Sequence, residues 1–310
     1  MPTPDISVKL GPITLKNPVM PASGTWEWNP SGVQCFDPSL LGAVVAKTVT
    51  MRPRLGNPPP RIYEVRAGLL NAVGIPSEGV EEFIRGTLKT MQSIKTAHVV
   101  SISGESVEDF GALANALNPY QSEITALELN LSCPNLSSEG KLFATDESLL
   151  RDVVATVRNN TTLPIIAKLS PNVSDIARMA VIAQDAGADI LALINTLQGM
   201  AIDTKSRRPI LGNVRGGLSG PAIKPVAVRM VWEAHDAVHI PIIGVGGIST
   251  ADDAVEFMLA GATAVAVGTA TFRNPMSMIE IIQGITDYLS EHGFRSVHDI
   301  VGAAKRGTEA

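Results

Sequence analysis

Ile242-Ile243-Gly244-Val245-Gly246-Gly247-Ile248-Ser249-Thr250-Ala251-Asp252-Asp253 passes from an apolar run, through glycines, to a helix start. The run Ile242-Val245 is short and almost wholly apolar, as expected of a parallel strand buried on both faces. Thr250 and Asp253 stand at capping-box spacing ahead of Val255, Met258 and Leu259, so a helix follows. The stretch is one strand–turn–helix unit, and its recurrence decides the fold.

Working outward, similar apolar runs occur at Val19-Ala22, Ala43-Thr48, His98-Ile102, Ala126-Asn130, Ile165-Leu169, Ile190-Asn195 and Ala264-Gly268. Helical spacing fills the gaps. Val80, Phe83, Ile84, Leu88 and Met91 make one such face, and Leu149, Leu150, Val153, Val154 and Val157 another, with Thr145 and Asp146 placed to begin it. Asn274-Pro275 offers a cap and a first-turn proline before Met278, Ile279 and Ile282. Eight strand–helix units predict an α/β protein, a (β/α)8 TIM barrel, with residues 1–310 as a single domain. A doubly wound open sheet is the alternative. The count of eight and the polar residues at nearly every strand end favour the barrel. Ser7-Leu10 and Ile13-Leu15, joined by Gly11-Pro12, predict an N-terminal hairpin that plugs the bottom of the barrel. Two long loops are expected at the carboxyl face, about 50–77 and about 196–220.

Composition narrows the function classes. Hydrophobic residues make up 45% of the 310, charged residues 18% and aromatics only 4%, so the core is aliphatic. The net charge of -5 argues against a nucleic-acid surface. The two cysteines, Cys35 and Cys133, give neither a disulfide framework nor metal-ligand spacing, and cannot hold an iron–sulfur cluster. No metal site is expected. Reducing cytoplasm is the expected compartment, because the N-terminus is polar and no apolar run is long enough to span a bilayer.

Chemistry in such barrels sits at the carboxyl ends of the strands. Here those ends read Ala22-Ser23-Gly24, Lys47-Thr48, Ser101, Asn130, Lys168, Asn195-Thr196, Gly244-Val245-Gly246-Gly247 and Gly268-Thr269. A lysine aimed into the mouth must meet an anion or carry a large desolvation cost. Glycines after the seventh and eighth strands suit a phosphate site, since they let backbone N–H groups approach. No Gly-x-Gly-x-x-Gly follows a strand, which argues against a Rossmann dinucleotide site.

Asn130-Leu131-Ser132-Cys133-Pro134-Asn135 ends the fourth strand. Its carboxamides can hold a small planar polar ligand, and its thiol can accept a proton in suitable surroundings. A turn with an inert cysteine would look the same in isolation. A phosphate grip, cationic strand ends and this loop together suggest flavin mononucleotide (FMN) with a small substrate above it. A reduced flavin gathers negative charge, which a lysine stabilises. A lysine Schiff base to pyridoxal phosphate is the competing chemistry, and it leaves the asparagines unexplained.

The chain resembles dihydroorotate dehydrogenase of class 1, most closely the catalytic subunit of subtype 1B. The resemblance runs from about Leu10 to Thr271 and is carried by Asn71-Ala72-Val73-Gly74-Ile75, by Asn130 to Asn135, by Asn195 to Asp203 and by Gly216 to Pro225. It implies oxidation of (S)-dihydroorotate to orotate in pyrimidine synthesis, with Cys133 as the base. By position, Lys47, Asn71, Ala72, Val73, Gly74, Ile75, Asn130, Asn135, Asn195 and Thr196 match substrate positions. Ser23, Lys47, Thr48, Asn130, Lys168, Ile194, Gly220, Gly246, Gly247, Gly268 and Thr269 match flavin positions. Ser101 stands where the family usually has asparagine, so that flavin contact is expected to be lost or water-mediated. Subtype 1B further implies a homodimer of this chain within a heterotetramer. Its second subunit carries FAD and an iron–sulfur cluster and passes electrons to NAD. A 1A-like enzyme reducing fumarate directly and a non-redox, phosphate-binding barrel isomerase are the alternatives.

Other conspicuous residues carry ordinary expectations. Trp26 and Trp28 pack under a loop, Cys35 is a bystander thiol and His98 is structural at the bottom of the barrel. Arg52, Arg54 and Arg61, like Arg207, Arg208 and Arg215, belong to solvated loops or to a partner contact.

Overall fold

The computed structural model describes residues 3–26, 35–131, 143 and 145–306. Eight parallel strands form one sheet. In chain order they are Val19–Pro21, Ala43–Val45, Ala97–Ile102, Ala126–Asn130, Ile165–Leu169, Ile190–Leu193, Ile242–Val245 and Ala264–Val267. Each pairs with the next from the second strand to the eighth, and the eighth pairs with the first. The Gly42 N–H donates to Val19 O at 2.9 Å, which joins the first strand to the second and closes the barrel. The (β/α)8 TIM barrel is therefore the architecture. Apart from Ala97 and Asn130 every residue of these strands is buried, and most are Val, Ile, Leu or Ala, the pattern expected when helices cover the outer face.

Several strands end earlier than their apolar runs: at Pro21, Val45, Leu193 and Val267 instead of Ala22, Thr48, Asn195 and Gly268. Except after Leu193, where buried Ile194 follows, the ladder stops where polar or small residues begin to line the mouth. The second strand shows how. Ala46 N–H donates to Val99 O and Val49 N–H to Ser101 O, so three residues of one strand span two of its neighbour. This bulge at Lys47-Thr48 shifts the register of the strand end, and Thr48 Oγ1 meets Ser101 Oγ across it.

Several helices start where side chains satisfy their free N–H groups. Asp146 accepts from Ser148 and Leu149 N–H to begin Glu147–Asn160. Thr250 and Asp253 complete a capping box on Ala251–Ala260. The apolar face from Val80 to Met91 is split into two short helices, Val80–Arg85 and Thr87–Gln92, by Gly86. Asn274 closes a turn on Met276 and Ser277, and the helix Ser277–Glu291 starts beyond Pro275, two residues later than the Asn-Pro pair suggests.

At the bottom, Val8–Leu10 and Ile13–Leu15 form the expected hairpin, with Leu10 and Leu15 buried. Gly11, at φ +60°, brings the turn against Asp189 O and Pro241, just ahead of the sixth and seventh strands. His98 is also at this end, its ring nitrogens against Glu123 O and Ile94 O.

The two long insertions are not loops. Ile62–Val65, Gly68–Asn71, Leu197–Gly199 and Gly216–Ser219 form a four-stranded antiparallel sheet in which Gly217 pairs with Asn71. Arg61 is bound to Asn57 O and Leu55 O, and Arg54 pairs with Glu105. Trp26 stacks on Phe36 at 5.5 Å, and Cys35 is exposed. Trp28 lies outside the described residues.

Candidate active site at the carboxyl face

A line of hydrogen bonds crosses the barrel mouth. Thr196 N–H donates to Asn195 Oδ1 at 2.8 Å, and Asn195 Nδ2 donates to Asn130 Oδ1 at 3.3 Å. Asn130 Nδ2 then donates to Thr48 Oγ1 at 3.2 Å, and Thr48 meets Ser101 Oγ at 3.0 Å. A backbone N–H can only donate, so Thr196 N–H fixes Asn195 Oδ1 as acceptor. Both amides are thereby oriented, without reference to any ligand. Four strands, the second, third, fourth and sixth, supply this line, and the bulge delivers Thr48 to it.

Ser101 is fully buried and ends the line on the third strand. Its shorter side chain is used internally, on Thr48, where a longer amide would reach into the mouth. Ile194 is buried beneath Asn195. Lys47 is half-buried.

Lys168 occupies the centre. It is opposite Asn130 in the ladder, and its side chain is only 6% exposed. Nζ donates to Ser23 Oγ at 3.2 Å, at the end of the first strand. Glu128 Oε1 lies 3.6 Å away on the other side.

The inserted sheet roofs this mouth. Asn71 Nδ2 donates to Gly217 O at 3.2 Å, and a Cβ on Gly217 would overlap Thr196 Oγ1. Ala72 N–H donates to Arg61 O, and Val73 O accepts from Asn57 N–H. Gly74 and Ile75 both have positive φ, +79° and +49°. For a β-branched residue such as Ile75 that is strained, and strain of this kind concentrates at binding sites. Asn172 ties the roof to the barrel, through Nδ2 to Thr196 O at 3.1 Å and Oδ1 from Gln198 N–H at 2.9 Å.

Opposite lies the glycine cluster. Gly220, Gly246 and Gly247 have φ of +95°, +128° and +81°. A Cβ on Gly247 would come 2.9 Å from Gly220 O, so the two loops touch. Thr269 Oγ1 donates to Ser219 Oγ at 2.8 Å, joining the eighth strand's end to the roof. A Cβ on Gly268 would meet nothing closer than 3.5 Å, which leaves its backbone open. Asp253 braces the cluster from below. It accepts from Ser249 and Thr250 N–H, and Lys224 Nζ donates to it at 2.7 Å. Burial pushes its carboxyl up, but Lys224 and these N–H groups outweigh that and hold it below the usual carboxylate range.

A buried cation and oriented amides on one side, with a glycine-lined cradle on the other, fit the ring and phosphate ends of FMN. The structure thus brings together Ser23, Lys47, Thr48, Asn71, Asn130, Lys168, Ile194, Asn195, Thr196, Gly220, Gly246, Gly247, Gly268 and Thr269 at one mouth. Cys133 and Asn135 lie outside the described residues. Glu128, Asn172 and Ser219 were not singled out in the sequence. Glu128 had a signal: a charge two residues before Asn130 in an apolar strand must share its inward face.

Comparison with known proteins agrees. The family model described as dihydroorotate dehydrogenase matches residues 5–289. The chain is 49% identical over 305 residues to a Geotalea daltonii protein named dihydroorotate dehydrogenase B (NAD(+)), catalytic subunit, covering 98% of this chain and 100% of that one. Its likeness to a Desulforudis audaxviator protein of the same name is 51% over 300 residues, 97% of each chain. A Carboxydothermus hydrogenoformans protein, also so named, is 48% identical over 305 residues, 98% of this chain and 99% of that one.

Proposed function

This chain belongs to the dihydroorotate dehydrogenase family, and on that premise we propose that it oxidises (S)-dihydroorotate to orotate with bound FMN, in pyrimidine synthesis. The observation that carries the reading is the fixed line Thr196–Asn195–Asn130–Thr48 beside buried Lys168. Residues 1–310 act as one FMN-binding barrel domain.

FMN, when bound, supplies the acceptor for the hydride from C6 of the substrate. Ser23, Thr48, Asn130, Lys168 and Ile194 would hold its ring, and Gly220, Gly246, Gly247, Gly268 and Thr269 its ribityl phosphate. Ser101 acts through Thr48. The chain's own part is binding, orientation and proton transfer. Lys47, Asn71, Asn130, Asn135, Asn195 and Thr196 bind the substrate, with the backbone from Ala72 to Ile75. Oriented amides recognise a planar ring that has carbonyl and N–H edges. The C5 proton, acidified by the neighbouring carbonyl, passes to Cys133 Sγ. The inserted sheet covers the mouth and limits water.

The relatives' name supports transfer of electrons to NAD through a second subunit. We assign FAD and an iron–sulfur cluster to that subunit, in a heterotetramer built on a dimer of this chain. Exposed Leu55, Ile62, Met200, Ile202 and Val214, in and beside the inserted sheet, offer apolar surface for association. Among the described residues no helix is long and apolar enough to cross a membrane. The cytoplasm is the compartment we assign. The test is to denature the purified protein and identify the released flavin. One FMN per chain is expected, and its absence from a protein offered FMN would refute the reading.

A further inference from the structure

Among the described residues Glu128 is the one buried carboxylate, and the reaction as outlined does not use it. Its side chain is 8% exposed, and Oε1 has no hydrogen-bond partner. It lies one inward-facing step below Asn130 on the fourth strand, opposite Ser101 on one side and Ile166 on the other. Apolar strands surround it. An acid in such a place is costly unless it is paired, and the cation beside it is Lys168. The separation of 3.6 Å gives an ion pair without a hydrogen bond. Lys168 keeps its short contact for Ser23, nearer the mouth.

We propose that Glu128 is the counter-charge of Lys168, a positioning residue that limits how much positive charge Lys168 presents to the flavin ring. The inference rests on FMN being the cofactor. Without Glu128, Lys168 is a buried, unbalanced cation, and an anionic reduced flavin relieves it best. Glu128 therefore holds the flavin potential down, while Lys168 holds it up.

The experiment is reductive titration of the FMN-loaded protein against reference dyes. Wild type is compared with Glu128→Gln, Lys168→Met and the double variant, with flavin content and thermal melting as controls. Glu128→Gln is expected to raise the ratio of reduced- to oxidised-flavin affinity about tenfold, which is about 30 mV for a two-electron couple. Lys168→Met is expected to lower the potential. In the Lys168→Met background, Glu128→Gln should move it little, because the effect runs through the Lys168 ammonium 3.6 Å away. A Glu128→Gln potential at or below wild type, or an equal rise in the Lys168→Met background, would overturn the role. Should Glu128→Gln not fold, Glu128→Asp withdraws the charge by one methylene and should raise the potential by less; no rise there overturns it equally. A wild-type chain that takes up no FMN would instead refute the cofactor reading, before any variant is compared.

Discussion

Gly217 O accepts a hydrogen bond at 3.2 Å from Asn71 Nδ2, a residue 146 positions away in sequence. The contact joins the two insertions directly over the line of amides at the barrel mouth. Because Thr196 Oγ1 stands where a Cβ of residue 217 would be, this approach requires glycine. Gly217→Ala is expected to push Thr196 aside and raise KM for dihydroorotate about tenfold, a loss of about 1.4 kcal/mol. FMN content should change far less than KM, because the atoms nearest a Cβ at 217 all belong to Thr196 and none to the glycines of the flavin cradle. Steady-state kinetics with a flavin assay checks both, and an unaltered KM would count against the roof as part of the substrate site.

Cys133→Ala is expected to keep FMN and lose turnover by about a hundredfold or more, the usual scale of a missing general base. Single-turnover flavin reduction measures the step itself. A variant as fast as wild type would remove the cysteine from the mechanism.

His235 supplies a pH dependence far from the mouth. Its ring packs against Gly261 and Gly302, where a Cβ would collide with it, and beside Lys305, which sits 4.4 Å over Trp232. Burial, then the Lys305 ammonium, hold its pKa below the ordinary 6.5, against the opposing pull of Asp236. The unfolded chain therefore takes up this proton first as pH falls. The neutral ring's contribution is complete above about pH 6.5, the ordinary His value, and declines as pH drops toward the folded-state value. Thermal melts of wild type and His235→Gln should converge as the pH is lowered from 7.5 through 6 if the glutamine variant melts lower at pH 7.5. A constant difference across that range would contradict the shift.

Much of this was legible in sequence because burial writes itself as apolar runs. All eight barrel strands, the Asp146 and Thr250 helix starts and the N-terminal hairpin follow from local pattern. The roof did not, since its strands are three or four residues long and find their partners across the chain. A pairing between Asn71 and Gly217 leaves no periodicity in either segment. The bulge at Lys47-Thr48 was hidden for a similar reason: it exists only relative to the third strand. The polar strand ends located the mouth, yet the direction of each amide came from one backbone N–H, Thr196, which every residue but proline would supply.

The central claim is that the mouth holds a flavin that dihydroorotate can reduce. Mixing the FMN-loaded protein anaerobically with dihydroorotate and following the visible spectrum tests it most directly. The flavin absorbance should bleach with formation of one orotate per flavin. A spectrum that stays oxidised in the presence of saturating dihydroorotate would contradict the account.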